Sequence, residues 1–195
     1  MLQPQVGKTI FFRHVGNLLR AVDFVVQDEQ GAEIGSVHQQ LPKGPRRFIR
    51  PLGRLDGLAS HRLVLQDLGG SVVVRIHRLP VLLRTHLRVA DGNDRFTAEF
   101  RQRLTIRSHV FDIHDRSSGT IASLEESPRH RFERFLLRVD EEVVAGIEVR
   151  IPSLLDGGKQ PITYLLRVSV PLEEPLAMIA LACAPCIHSV FNGRF

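Results

Sequence analysis

The chain has 195 residues, 43% hydrophobic and 24% charged, which is ordinary for a soluble globular protein and enough for one domain with a substantial core. Its formal net charge is +5 and its pI about 10.0, and only Lys8, Lys43 and Lys159 among its cations are not arginine. Two cysteines exclude a disulfide framework, and Met1 to Val6 lack the basic-then-apolar pattern of a secretory leader, so a cytoplasmic location is expected.

The chain reads as short alternating strands joined by Asp/Gly turns. Lys8 to His14 predicts a first strand. Val22, Phe24 and Val26 alternate into a turn over Asp28 to Gly31, and Ala32 to His38 returns; alternation followed by a Gly-bearing turn is the hairpin signal. Residues Gln39 to Ser60 break the pattern with three prolines (Pro42, Pro45, Pro51) and a basic run of Lys43, Arg46, Arg47, Arg50 and Arg54. Phe48, Ile49 and Leu52 sit among these charges, a composition suited to a phosphate or membrane-surface contact as well as to a plain solvated loop.

Hairpins resume at His61. Leu63 and Leu65 lead to a turn at Asp67, and Val72, Val74 and Ile76 return; Leu87 and Val89 lead to Asp91, and Phe96, Ala98 and Phe100 return. A strand over Leu104 to Ile113 leads to Asp115, and Thr120 to Leu124 returns; the apolar parity slips between Ile106 and Phe111, which predicts a β-bulge near Ser108 and His109. Phe135, Leu137 and Val139 lead to Asp140, and Val143 to Val149 return. The turn aspartates 67, 91, 115 and 140 lie 24, 24 and 25 residues apart, a repeating two-strand unit too short for propeller blades. A second loop, Ile151 to Pro161, precedes a last strand through Tyr164, Leu166, Val168 and Val170.

Pro175 to Phe191 is apolar on every side, and such a helix must be wrapped by protein or by lipid. It is too short for a bilayer, which needs about 20 apolar residues. At about 1.5 Å per residue it matches the length of a seven-residue strand. A barrel of about twelve strands is too wide for its own side chains to fill, so a helix inside it solves both problems. The expected fold is therefore mainly β: one domain over residues 1–195, a closed antiparallel barrel of about 12 strands in a hairpin meander, around a buried apolar helix at about 175–190. Pro185 is expected to kink that helix or end it near Ala184.

Paired strands with Asp-x-x-Gly turns, at Asp28 to Gly31 and Asp67 to Gly70, together with the apolar C-terminal helix, give a layout that resembles the tubby-like C-terminal fold in its phospholipid scramblase and plant LURP-one-related branch. The resemblance runs from about Lys8 to Phe191 and rests on layout. It implies a twelve-stranded barrel around a buried helix, and binding to phosphoinositides or anionic membrane surfaces, with transcriptional or defence roles in some members. Scramblases also carry a Pro-rich N-terminal extension, a cysteine cluster and an acidic calcium segment before the last helix. Here Ser153 to Lys159 offers one carboxylate, Asp156, and no Lys/Arg pair matches the tubby phosphoinositide site, so calcium-triggered scrambling is not expected.

Other constellations carry less. Cys183 and Cys186 have the spacing of a redox dithiol but sit late in an apolar segment without a βαβ unit, so two buried thiols are expected, with a thiol-redox protein as the alternative. A zinc site there would need two ligands besides His188. His38, His77, His86 and His109 alternate with apolar residues, which predicts outward positions; His109, His114, Asp112 and Asp115 form the densest cluster and read as solvated strand and turn. Glu141, Glu142, Glu173 and Glu174 occupy turn and cap positions, and nucleophile elbows, phosphate loops and dinucleotide fingerprints are absent. One Tyr, no Trp, and Phe residues at core parity argue against a specific nucleic-acid surface. The function expected is a non-enzymatic module, without cofactor or metal, that binds an anionic lipid headgroup or membrane surface through Arg46, Arg47, Arg50 and Arg54; the alternative is a scaffold for a protein partner.

Overall fold

The computed structural model describes residues 2–15, 23–40, 61–79, 85–103, 105, 108–117, 119–130, 132–151 and 161–191. Twelve strands form a closed antiparallel barrel: β1 (Thr9–His14), β2 (Asp23–Gln27), β3 (Glu33–Gln40), β4 (His61–Asp67), β5 (Val72–Leu79), β6 (His86–Asp91), β7 (Phe96–Arg103), β8 (Val110–His114), β9 (Thr120–Glu126), β10 (Arg134–Val139), β11 (Glu142–Arg150) and β12 (Thr163–Val168). Each strand pairs with its neighbours in sequence, and β1 closes the circle on β12 with Thr9 opposite Arg167 and Arg13 opposite Thr163.

The alternation of the sequence is the alternation of the wall. Phe12, Val26, Val37, Leu65, Val74, Leu87, Phe100, Ile113, Leu124, Leu137, Ile147 and Leu166 all belong to one core cluster, buried to 2% exposure or less. Burying each such side chain contributes about 1.5–3 kcal/mol relative to exposing it. The space left in the middle is filled by α1 (Leu176–Phe191), whose residues join the same cluster. Its wrapping is therefore protein, and no helix among the described residues is long and apolar enough to cross a membrane.

The helix has the expected span: it does not end near Ala184 but continues through Pro185 to Phe191. Pro185 has no N–H to offer the Leu181 carbonyl, but its apolar ring is buried with its neighbours, and side chains nearby bond the helix backbone. The Cys183 thiol donates to the Ile179 carbonyl at 3.2 Å and the Ser189 hydroxyl to the Cys186 carbonyl at 2.9 Å.

Four hairpins at one end of the barrel share one turn. Asp28, Asp67, Asp91 and Asp115 each accept, through Oδ1, the backbone N–H of the second and fourth residues on, at 2.8–3.1 Å. The N–H of each aspartate also donates to the carbonyl four residues on, at 3.0–3.1 Å. This geometry demands a left-handed residue, which is Gly31 (φ 79°), Gly70 (φ 76°) or Asp94 (φ 63°) in three of the turns. The Asp140 turn is tighter, with Asp140 and Glu141 both left-handed (φ 47° and 68°), as two-residue hairpin loops require. All five hairpins shift register beside the turn, at Val26/Gln27, Leu65/Gln66, Val89/Ala90, Ile113/His114 and Leu137/Arg138. Such bulges add the local twist that curls a wall into a barrel.

Of the strand expected over Leu104 to Ile113, Leu104, Ile106 and Arg107 lie outside the described residues, while Thr105, Ser108 and His109 are not strand: β7 ends at Arg103 and β8 starts at Val110. The register shift in this hairpin lies at Ile113/His114, not near Ser108. Ser108 and His109 precede β8, so His109 is not an outward strand residue. Its ring packs on Phe191 at 4.6 Å between centroids, and Phe132 and Phe135 each lie 5.7 Å from Phe191, closing the barrel end where the helix finishes.

Candidate functional site

On the outer wall, strand alternation turns Arg62 of β4, His77 of β5 and Arg88 of β6 away from the core. The register then sets them in one row: Gln40 opposite Arg62, Arg62 opposite His77, His77 opposite Arg88. Arg75 stands two residues before His77 on β5 and faces the same way. Basic side chains directly opposite one another destabilise a sheet unless something negative lies between them. The carboxylate next in the row, Glu99 opposite Arg88, is engaged elsewhere: Arg101 donates to its Oε2 at 2.6 and 2.9 Å, and His86 lies 3.4 Å from Oε1. Arg88 instead rests over the Phe96 ring at 5.3 Å.

These side chains surround a pocket of about 200 Å3 on the barrel surface. Its floor includes Val64 and Ala90, which point outward by alternation and are nonetheless only 4% and 5% exposed. The Arg75 Nε is buried without a hydrogen-bond partner, while one of its terminal nitrogens reaches the Gly92 carbonyl at 3.4 Å. Among the described residues, Asp94 is the one carboxylate lining the pocket, against three guanidiniums. His77 is held below its ordinary 6.5 first by burial, then by Arg62 and Arg88, with Asp94 opposing them. A half-buried, apolar-floored pocket with surplus guanidinium donors is suited to an oxyanion, since the planar fork matches carboxylate and phosphate oxygens.

The sequence missed this cluster because its members are spread over three strands. Arginines that alternate along separate strands look dispersed, and only the register gathers them. Arg46, Arg47, Arg50 and Arg54, the residues first expected to bind an anion, lie outside the described residues.

Two larger clefts, about 1060 and 400 Å3, open at the Asp-turn end. They have mixed charge, and their carboxylates are occupied. Asp67, Asp91 and Asp115 hold their own turns, with Asp115 kept below the usual carboxylate range chiefly by the Ser117 hydroxyl 2.6 Å away. Glu29 accepts the Thr9 N–H at 2.8 Å. Glu174, which precedes the helix as the sequence suggested, is raised by burial and by Asp91, with the Met178 backbone opposing them. The described residues include no group of three His, Cys, Asp or Glu placed to hold a metal.

Inside the barrel, Cys183 and Cys186 are both fully buried, and burial pushes both thiols well up, away from thiolate. His188 is fully buried beside Tyr164, Phe24 and His14, whose ring stacks on it at 4.8 Å. Of the expected cluster, Asp112 holds Arg103 across the β7–β8 ladder, and Asp115 holds its turn. No family model, curated protein or solved structure matches this chain.

Proposed function

We propose that this protein is a non-enzymatic barrel that binds anionic groups, foremost phospholipid headgroups at a membrane surface, through the basic face of β4, β5 and β6. One observation carries this reading: among the described residues, the row Arg62, His77 and Arg88, with the buried Arg75 Nε beside it, sets three guanidiniums against the one carboxylate of Asp94. A fold accepts that cost most readily where a ligand offsets it. Arg46, Arg47, Arg50 and Arg54, the anion contacts expected from the sequence, would add to such binding, since attraction to an anionic surface grows by about 1 kcal/mol per such residue. The layout resemblance to tubby-like proteins points the same way.

The test is co-sedimentation with phosphatidylcholine vesicles carrying graded anionic lipid, at low and at about 0.15 M ionic strength. The expected result is saturable binding that survives the higher salt and is lost in an Arg75→Gln/Arg88→Gln double variant of unchanged melting temperature. Binding that disappears with salt, or that the double variant retains, overturns the reading and favours a protein partner.

A further inference from the structure

The chemistry of the pocket narrows its ligand. We infer that it takes a tetrahedral dianion, the charge state of a phosphomonoester or sulfate, in preference to a monoanion, and that His77 takes up a proton as the dianion enters. The inference rests on the anion-binding reading above and specifies the ligand class and its control.

The charge balance comes first. Among the described residues, three guanidiniums, those of Arg62, Arg75 and Arg88, line the pocket with the single carboxylate of Asp94. With His77 neutral these groups carry an excess of two positive charges, and with it protonated three. A phosphomonoester carries about −1.5 to −2 near neutral pH, whereas a phosphodiester carries one negative charge. Only the former balances the pocket.

Position comes next. His77 stands in the middle of the row, directly opposite Arg62 on one side and Arg88 on the other. Partial burial and then both guanidiniums favour the neutral ring, and Asp94 opposes them. Strand β3, beyond β4, contributes the uncharged Gln40, and Arg75, on β5 with His77, adds a further cation. A dianion among these groups reverses the local field, so the imidazolium becomes favourable and supplies one more charged donor. By linkage, a group that gains a proton on binding makes binding tighter as pH falls through the range between its two pKa values. A ligand that itself stays doubly charged then reports His77 alone, and sulfate does so from pH 8 to pH 5.5.

The experiment is calorimetric titration of the full chain with sulfate and with nitrate at pH 8 and pH 5.5, in the wild type, His77→Gln and Arg75→Gln. Sulfate is expected to bind about 5- to 10-fold tighter at pH 5.5, matching up to one unit of pKa rise at His77. His77→Gln should lose the pH dependence, Arg75→Gln should lose sulfate at both pH values, and nitrate should bind far more weakly. In parallel, vesicles bearing phosphatidic acid, a monoester, should retain the protein better than vesicles bearing phosphatidylglycerol, a diester, if the dianion comes from lipid; sulfate binding without that preference assigns the pocket to a free oxyanion. Sulfate binding that is flat with pH, that keeps its slope in His77→Gln, or that nitrate equals, overturns the inference and leaves the anion-binding reading standing. Vesicle binding without sulfate binding also overturns it. Failure of sulfate and of every anionic vesicle to bind overturns both.

Discussion

The Tyr164 hydroxyl stands 3.0 Å from Nδ1 of His188, tying the barrel wall at β12 to the last turn of the helix it encloses. The other ring nitrogen, Nε2, is buried and has no hydrogen-bond partner. Burial first, and then His14, lowers the His188 pKa from 6.5 to about 3. The folded protein therefore needs this ring neutral, while the unfolded chain takes a proton below about 6.5. Stability from this residue is complete above pH 6.5 and is lost as pH falls toward 3, at up to about 1.4 kcal/mol per pH unit. Chemical denaturation at pH 7, 6, 5 and 4 checks this. His188→Gln should be less stable at pH 7 but show a shallower acid slope; an equal slope would assign the acid sensitivity elsewhere.

Glu126 is only 2% exposed, and its two carboxylate oxygens accept the backbone N–H of His109 at 2.9 Å and of Phe132 at 2.7 Å. It fastens two connections over the Phe191 end of the helix. Glu126→Ala strands both donors, at about 1–3 kcal/mol each. The expected loss is about 2–5 kcal/mol in urea unfolding, with Glu126→Gln less damaging because it keeps one acceptor oxygen. A loss under about 0.5 kcal/mol for the alanine variant would show that water replaces the carboxylate.

Gly35 and Gly92 have no left-handed φ to explain them, and space explains them instead. A Cβ at Gly35 would collide with the Gln66 carbonyl oxygen of β4, and one at Gly92 with the Val72 carbonyl oxygen of β5. Gly31 meets nothing nearby but is left-handed (φ 79°). Gly92→Ala and Gly35→Ala should therefore each cost more than the roughly 1–2 kcal/mol expected for Gly31→Ala, read as loss of soluble yield or melting temperature. Equal costs would mean that the ladders relax around the added methyl.

The thiols give a direct readout of the core. Cys183 and Cys186 should resist iodoacetamide under native conditions and react at once in denaturant, as intact-mass spectrometry would show. Rapid native alkylation of either would require the helix to leave the barrel.

Much of the architecture was legible because two periodicities carry it. Alternation from Val72 to Ile76, or from Phe135 to Val139, is enough to assign strands, and a 24-residue spacing of turn aspartates is enough to assign a meander. The uniform apolarity of the segment from Leu176 forced a wrapped helix. Pro185 misled because a local propensity was outweighed by burial on all sides. The slip between Ile106 and Phe111 misled because a bulge and a loop both break parity, and sequence alone does not separate them. The candidate site was illegible for another reason. Arg62, His77 and Arg88 are 15 and 11 residues apart, and their adjacency depends on two ladder registers that bulges beside Asp67 and Asp91 help to set.

Every ladder but one joins strands consecutive in the chain; the exception is the seam between Thr9–His14 and Thr163–Val168. During synthesis the hairpins can therefore form as they emerge, since local contacts close fast. The seam and the filling helix come last. A ribosome that has released β11 but not β12 and α1 carries a curled sheet with an open edge and its apolar face uncovered, a species prone to association. The interval of greatest risk is the translation of the codons for residues 163–191, and slow codons or a stalled ribosome in that stretch should cost more soluble protein than the same delay within the preceding hairpins.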